Sequence, residues 1–292
     1  MLNLFKYFRQ KRRRNNNGHI GIALSGGGAR GVVHIGFLRA LEEENVHVDE
    51  ISGTSMGAII GAFYAAGYSP EEMLTIVSQQ RFSKIFRLSW LRNGLLNLSY
   101  LEELIKKNIP HDDFEKLNKK LYVCATNLSK SNYEILESGS LSRAVTASAA
   151  LPVIFKPIEI NGQKYVDGGL MNNLPVQPLK KTCKKVIGVH VNNYSMDDSF
   201  ESFGSVLSKV FTLAVHQNVV PNIQQCDYIV EPVLDKAYSV MDFSKFQELH
   251  DIGYEEGKKF IKNHKKALVR KKKISKKDVK KTGEAFVPAF SS

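Results

Sequence analysis

The stretch "SGTSMGAIIG", residues 52–61, contains Gly53-Thr54-Ser55-Met56-Gly57, a G-x-S-x-G placed between a short apolar run and a segment of small residues. The run before it reads as a strand over 50–53, and 56–66 reads as a helix that stops at Gly67. A tight strand-to-helix turn with glycines on either side of a serine is a nucleophile elbow, which pushes the hydroxyl out of the backbone. Gly53 and Gly57 flank Ser55 because a side chain at either place would collide with neighbouring backbone. The following helix N-terminus adds partial positive charge near the serine.

Upstream, "ALSGGGARG" (23–31) contains Gly26, Gly28 and Gly31 in the spacing G-x-G-x-x-G. A dinucleotide site also requires a carboxylate at the far end of the second strand to hold the ribose. Here that end is Gly53-Thr54-Ser55, while Asp49 and Glu50 lie ahead of it, and there is no GK[ST] of a phosphate loop. The anion expected at this loop is therefore one made transiently by reaction. Gly26, Gly27 and Gly28 can present backbone N–H groups to the oxyanion of a tetrahedral intermediate, and Arg30 adds fixed positive charge beside them.

Outward from these two loops, strand patterns at 19–24, 50–53, 121–126, 133–137, 164–166, 185–191 and 228–231 alternate with helical patterns at 31–45, 56–66, 99–107, 140–149, 203–220 and 243–262. At 69–72, "SPEE" opens a further helix with a capping box formed by Ser69 and Glu72. Strand–helix alternation predicts an α/β fold, a three-layer α/β/α arrangement around a mostly parallel central sheet with the serine on its elbow. The 292 residues, 43% of them hydrophobic, suffice for one globular domain over 18–262, with a basic arm at 1–17 and a basic tail at 263–292.

The net charge of +12 belongs to the ends. Residues 1–17 hold six Lys/Arg and no acid, and residues 258–292 hold thirteen Lys/Arg against Asp278 and Glu284, which leaves 18–257 at −5. Such ends are either solvated segments or attractors for an anionic membrane surface, at roughly 1 kcal/mol per basic residue near the headgroups. The run "KKKISKKDVKK" lacks interleaved aromatic residues for base stacking, so no nucleic acid is expected. No run approaches a transmembrane span and the N-terminus lacks a secretory pattern, so the expected location is cytoplasmic, peripheral on the inner face of the membrane. Cys124, Cys183 and Cys226 are widely spaced and odd in number, which points to reduced thiols and to no metal site.

A serine nucleophile requires a base. His190, His216, His250 and His264 follow the elbow, but each reads as a packing or surface histidine. Asp167, in "YVDGGLMNNLP", ends an apolar strand ahead of two glycines. That stretch alone suits a catalytic carboxylate and a structural turn aspartate equally. Residues 82–100, "FSKIFRLSWLRNGLLNLSY", mix aromatic, aliphatic and basic side chains. They read as a core helix with a loop, as a lid or surface that meets lipid, or as a homodimer contact.

Taken in order, "GGGARG", "GTSMG", "SAALPVIFKPI" and "DGG" resemble the motifs of the patatin-like phospholipase family, compact bacterial members in particular, over about 18–262. The resemblance implies a Ser–Asp dyad without histidine: Ser55 as nucleophile, Asp167 as base, and Gly26, Gly27, Gly28 and Arg30 as the oxyanion-hole segment. It further implies a hydrolase of lipid carboxyl esters, phospholipid or lysophospholipid, that needs no cofactor or metal. The alternatives are an acyltransferase or thioesterase with the same serine, or a non-catalytic lipid-binding regulator. Two departures, Asn127 where the family's "ATDL" has aspartate and Val153 where a glycine is usual, bear on the acyl pocket and not on the dyad.

Overall fold

A computed structural model describes residues 19–78, 97–192, 203–234, 238–240 and 242–268. The arm at 1–17, most of the 82–100 stretch and the tail beyond 268 lie outside the described residues. The strands are β1 (Ile20–Leu24), β2 (Glu50–Thr54), β3 (Lys120–Asn127), β4 (Asn132–Leu136), β5 (Ile158–Ile160), β6 (Gln163–Asp167), β7 (Lys185–Val189) and β8 (Tyr228–Val230). The helices are α1 (Val33–Glu43), α2 (Met56–Ala66), α3 (Pro70–Ser78), α4 (Ser99–Asn108), α5 (Leu141–Ser148), α6 (Gln177–Thr182), α7 (Phe203–Ile223) and α8 (Phe246–Leu268).

The fold is α/β with a mixed, mostly parallel sheet in the order β5-β6-β3-β2-β1-β7-β8, and β4 pairs with β3. Strand β1 is buried along its whole length and is paired in parallel with β2 on one side and β7 on the other. Such a strand must be apolar on both faces, which is why IGIAL reads as a continuous run. Ile22 and Leu24 enter the larger core with Phe37, Ile59, Phe63 and Phe260 of α1, α2 and α8. Ala23 faces the other way, into a smaller core with Leu174, Leu179, Val215 and Val219 of the segment 174–179 and α7.

The seven strand segments expected from sequence coincide with seven of the strands, with ends shifted by a residue or two. Strand β5 is additional: it forms a hairpin with β6 through Asn161 and Gly162, both at positive φ (51° and 75°). Asn-Gly is the turn pair that tolerates this twist. The last helix outruns its expected end at 262. It runs to Leu268, because the apolar stripe of Leu249, Gly253 and Phe260 continues through His264, which packs on Tyr228, to a buried Leu268.

The register of β3 positions the candidate site. Residues 123 and 124 of β3 pair with β2 and β4, so these two strands lie on opposite edges of β3. Residue 125 pairs with Glu134 of β4 and with Asp167 of β6, so β4 and β6 are also on opposite edges. Strands β2 and β6 therefore share one edge of β3, end to end. The first, parallel to β3, stops with Thr54 opposite Cys124, and the second, antiparallel, stops with Asp167 opposite Ala125.

Candidate active site

Where the two strand ends meet, the chain turns sharply twice. Ser55 leaves β2 at φ 53°, ψ −123° and caps α2, its carbonyl accepting from the N–H groups of Ala58 and Ile59 at 2.9 and 3.1 Å. A non-glycine residue at such a φ is strained, and the surroundings hold it there. A Cβ at Gly57 would lie 2.3 Å from the Leu24 carbonyl oxygen, and one at Gly53 would lie 2.4 Å from that of Gly57. Only glycine lets the turn close this tightly. The Ser55 N–H donates to Ser148 Oγ at 2.9 Å, and Ser148 Oγ donates to the Cys124 carbonyl at 2.6 Å, which pins the turn to the end of β3.

Asp167 is 3% exposed. Its N–H donates to the Ala150 carbonyl at 2.8 Å, and its carbonyl accepts from Thr126 Oγ1 at 2.9 Å. The Gly169 N–H donates to Oδ1 at 2.7 Å, and the Ser55 side chain lies near enough to the carboxylate to favour its charged form. Burial pushes the carboxyl up from 3.8 to about 6, because the charged form is poorly solvated there. The nearby Ser55 side chain and the Gly169 N–H pull in the opposite direction and are outweighed. Thr54 Oγ1 donates to the Asn172 carbonyl at 2.9 Å, a second tie between the serine turn and the aspartate turn. Among the described residues no histidine bonds to Asp167. His190 is taken by Glu231 at 3.0 Å and His250 by Asp251 at 2.9 Å, while His264 stacks on Phe260.

The glycine loop packs against the same point. A Cβ on Gly26 would lie 3.0 Å from Ser55 Cβ and 2.5 Å from Asn173 Oδ1. Its N–H groups are not equivalent. That of Gly26 donates to the Asn173 carbonyl at 3.3 Å, that of Ala29 to the Val240 carbonyl at 2.8 Å, and that of Arg30 to the Gly27 carbonyl at 3.2 Å. The amides of Gly27 and Gly28 are left without a protein acceptor among the described residues. The Arg30 side chain is half-buried and its Nε donates to the Tyr238 carbonyl at 2.7 Å. Of the four residues expected at an oxyanion hole, two thus have uncommitted donors, one shapes the loop, and one anchors it to the 238–240 segment.

Sequence reasoning missed an amide network that holds the aspartate turn. Asn218 of α7 donates through Nδ2 to the Gly169 carbonyl at 2.9 Å and accepts the Asn173 N–H at 2.8 Å. Asn222 donates to Asn172 Oδ1 at 2.9 Å, and Gln177 bridges Asn172 and Asn222 at 3.0 and 2.6 Å. The only hint in the sequence is Asn218 and Asn222 at i, i+4, which puts both on one helix face. Asn173 Nδ2 is buried without a protein partner beside this cluster. Asn127 donates to Gln163 Oε1 at 2.6 Å, and Val153 is 57% exposed at φ 70°, a left-handed conformation that suits glycine. Among the described residues no cluster of three or more His, Cys, Asp or Glu is placed to hold a metal ion, and no helix is long and apolar enough to cross a membrane.

A family model described as patatin-like phospholipase matches residues 22–180. Lysophospholipase NTE1 of Kluyveromyces lactis is 30% identical over 279 residues, covering 84% of this chain and 19% of that protein. Lysophospholipase NTE1 of Saccharomyces cerevisiae is 30% identical over 275 residues, covering 83% and 16%. The chain spans less than a fifth of the length of these curated relatives. VipD from Legionella pneumophila superposes with a TM-score of 0.51 at 15% identity, over 85% of this chain and 67% of that one, a likeness of fold.

Proposed function

The chain belongs to the patatin-like phospholipase family, and on that premise we propose that it is a serine acyl hydrolase, cleaving carboxyl esters of phospholipids or lysophospholipids through Ser55 and Asp167. The observation that carries the reading is the meeting of the two strand ends on β3, where a strained serine turn faces a buried carboxylate.

Asp167 takes the Ser55 proton as the hydroxyl oxygen attacks the ester carbonyl. A carboxylate at its ordinary pKa is a weak base, and the rise to about 6 brings it closer to the proton's demand while leaving it ionised at neutral pH. The tetrahedral oxyanion accepts from the Gly27 and Gly28 N–H groups, with the N-terminus of α2 contributing positive potential. Asp167 returns the proton to the leaving alcohol or lysolipid, and the acyl group stays on Ser55 Oγ. Water then attacks the acyl carbonyl, giving its proton to Asp167, and the fatty acid departs as Ser55 regains its hydrogen. The basic ends, with +11 over 258–292, suit attraction of the protein to anionic lipid.

The test is a panel of phospholipids, lysophospholipids and neutral glycerides with free fatty acid read by mass spectrometry. Wild type is expected to release fatty acid from at least one phospholipid or lysophospholipid, and Ser55→Ala to release none. Equal release by both proteins would overturn the assignment.

A further inference from the structure

Helix α7 is apolar on two opposite sides. Its inner side carries Val215 and Val219 into the smaller core, with Asn218 and Asn222 bonded to the aspartate turn. Positions 206, 210, 213, 217 and 220, spaced by three or four, fall together on the opposite side. Val206, Val210, Leu213 and Val220 are 43, 58, 42 and 43% exposed there, and Gln217 is the polar member of the row. A surface helix normally turns charged and polar residues outward. The outward row of α7 has none charged, and Lys209 is the one charged residue between 203 and 223.

We propose that this outward row of α7 is the surface on which the protein rests against aggregated lipid, a bilayer or micelle. The proposal rests on the lipid-hydrolase reading for its occupant. Two observations favour lipid over a second copy of the chain. Four half-exposed aliphatic side chains offer roughly 300 Å², against about 800 Å² per partner in a stable protein interface. The helix carries no carboxylate to be repelled by anionic headgroups. A lipid surface asks for no matched shape, only for apolar side chains that reach below the headgroups.

The experiment uses full-length Ser55→Ala protein, so that binding is read without turnover, and sedimentation with phosphatidylcholine vesicles containing one-fifth phosphatidylglycerol. Adding V210E and L213E is expected to lower vesicle partition at least tenfold, and partition within twofold of the parent would overturn the proposal. Light scattering after size exclusion reads the rival occupant: a parental dimer split by the two glutamates, with vesicle partition unchanged, makes the row a contact between copies and also overturns it. Should the glutamate variant unfold, Val210→Trp decides, with quenching by brominated phosphatidylcholine expected and its absence contradictory. Hydrolysis of water-soluble p-nitrophenyl butyrate by wild type is measured separately. Its failure would remove the hydrolase reading, while the partition of the Ser55→Ala protein still reports on this face.

Discussion

Replacing Asp167 by asparagine separates two consequences of burying a carboxylate. With the carboxyl held at about 6 and not 3.8, the folded protein binds this proton more tightly than the unfolded chain does. The ionised side chain therefore opposes folding by about 3 kcal/mol at pH 7 to 8, by roughly half that at pH 5, and by almost nothing below pH 3.8. Asparagine is uncharged, similar in shape, and keeps an Oδ1 to accept the Gly169 N–H. Asp167→Asn is thus expected to be more stable than wild type by about 3 kcal/mol at pH 8, a rise in Tm on the order of 5–10 °C. The gain should shrink as pH falls through 6 and vanish near pH 4. Turnover should fall by roughly 10²–10⁴-fold in the same protein, the usual worth of a general base. Thermal unfolding followed by circular dichroism at pH 4, 5, 6 and 8 reads the first effect, and ester hydrolysis the second. A variant no more stable than wild type at pH 8, or one whose gain is the same at pH 4 and 8, would refute the reasoning from desolvation.

Other outcomes follow from the same geometry. If Asp167 is the base it acts only when ionised, so kcat/KM for a soluble ester is expected to fall on the acid side with a midpoint near 6, and a limb centred near 4 would contradict the burial argument. Asn218→Ala removes a donor to the Gly169 carbonyl and an acceptor for the Asn173 N–H, and is expected to lower stability by about 1–3 kcal/mol in urea titrations. It should also lower kcat at least tenfold with KM little changed, since the turn it holds carries Asp167, the proposed base. Val153→Gly relieves a β-branched residue at φ 70° on the surface, and about 1 kcal/mol of added stability is expected from the same titration.

The serine turn was legible because glycines on both sides of Ser55 mark it, although only Gly53 meets its obstacle within the turn; Gly57 is required by the Leu24 and Ser25 carbonyls, remote in sequence. Asp167 was legible as a carboxylate at a strand end, but its meeting with Ser55 was not. That meeting depends on which edge of β3 each strand takes, a long-range pairing that no short stretch encodes, and only the family resemblance pointed to it. In the glycine loop the sequence marks a place where backbone amides gather. Which amides stay uncommitted was hidden, since the acceptors for Gly26 and Ala29 come from Asn173 and Val240, remote in sequence. The same holds for Arg30, whose acceptor is the Tyr238 carbonyl. Strand β5 went unread because three residues give no periodicity, although Asn161-Gly162 marks its turn. Helix α8 outlasted its expected end because a run of lysines masks the spacing that carries Leu268 into the core.

The hydroxyl of Ser55 is proposed as a nucleophile driven by the carboxylate of Asp167. Reaction with a fluorophosphonate, followed by peptide mass spectrometry and timed in wild type and Asp167→Asn, tests it most directly. The expected result is a single phosphonyl adduct on the peptide containing Ser55, formed at least a hundredfold more slowly in the asparagine protein. An adduct at another residue, or equal rates in the two proteins, would contradict it.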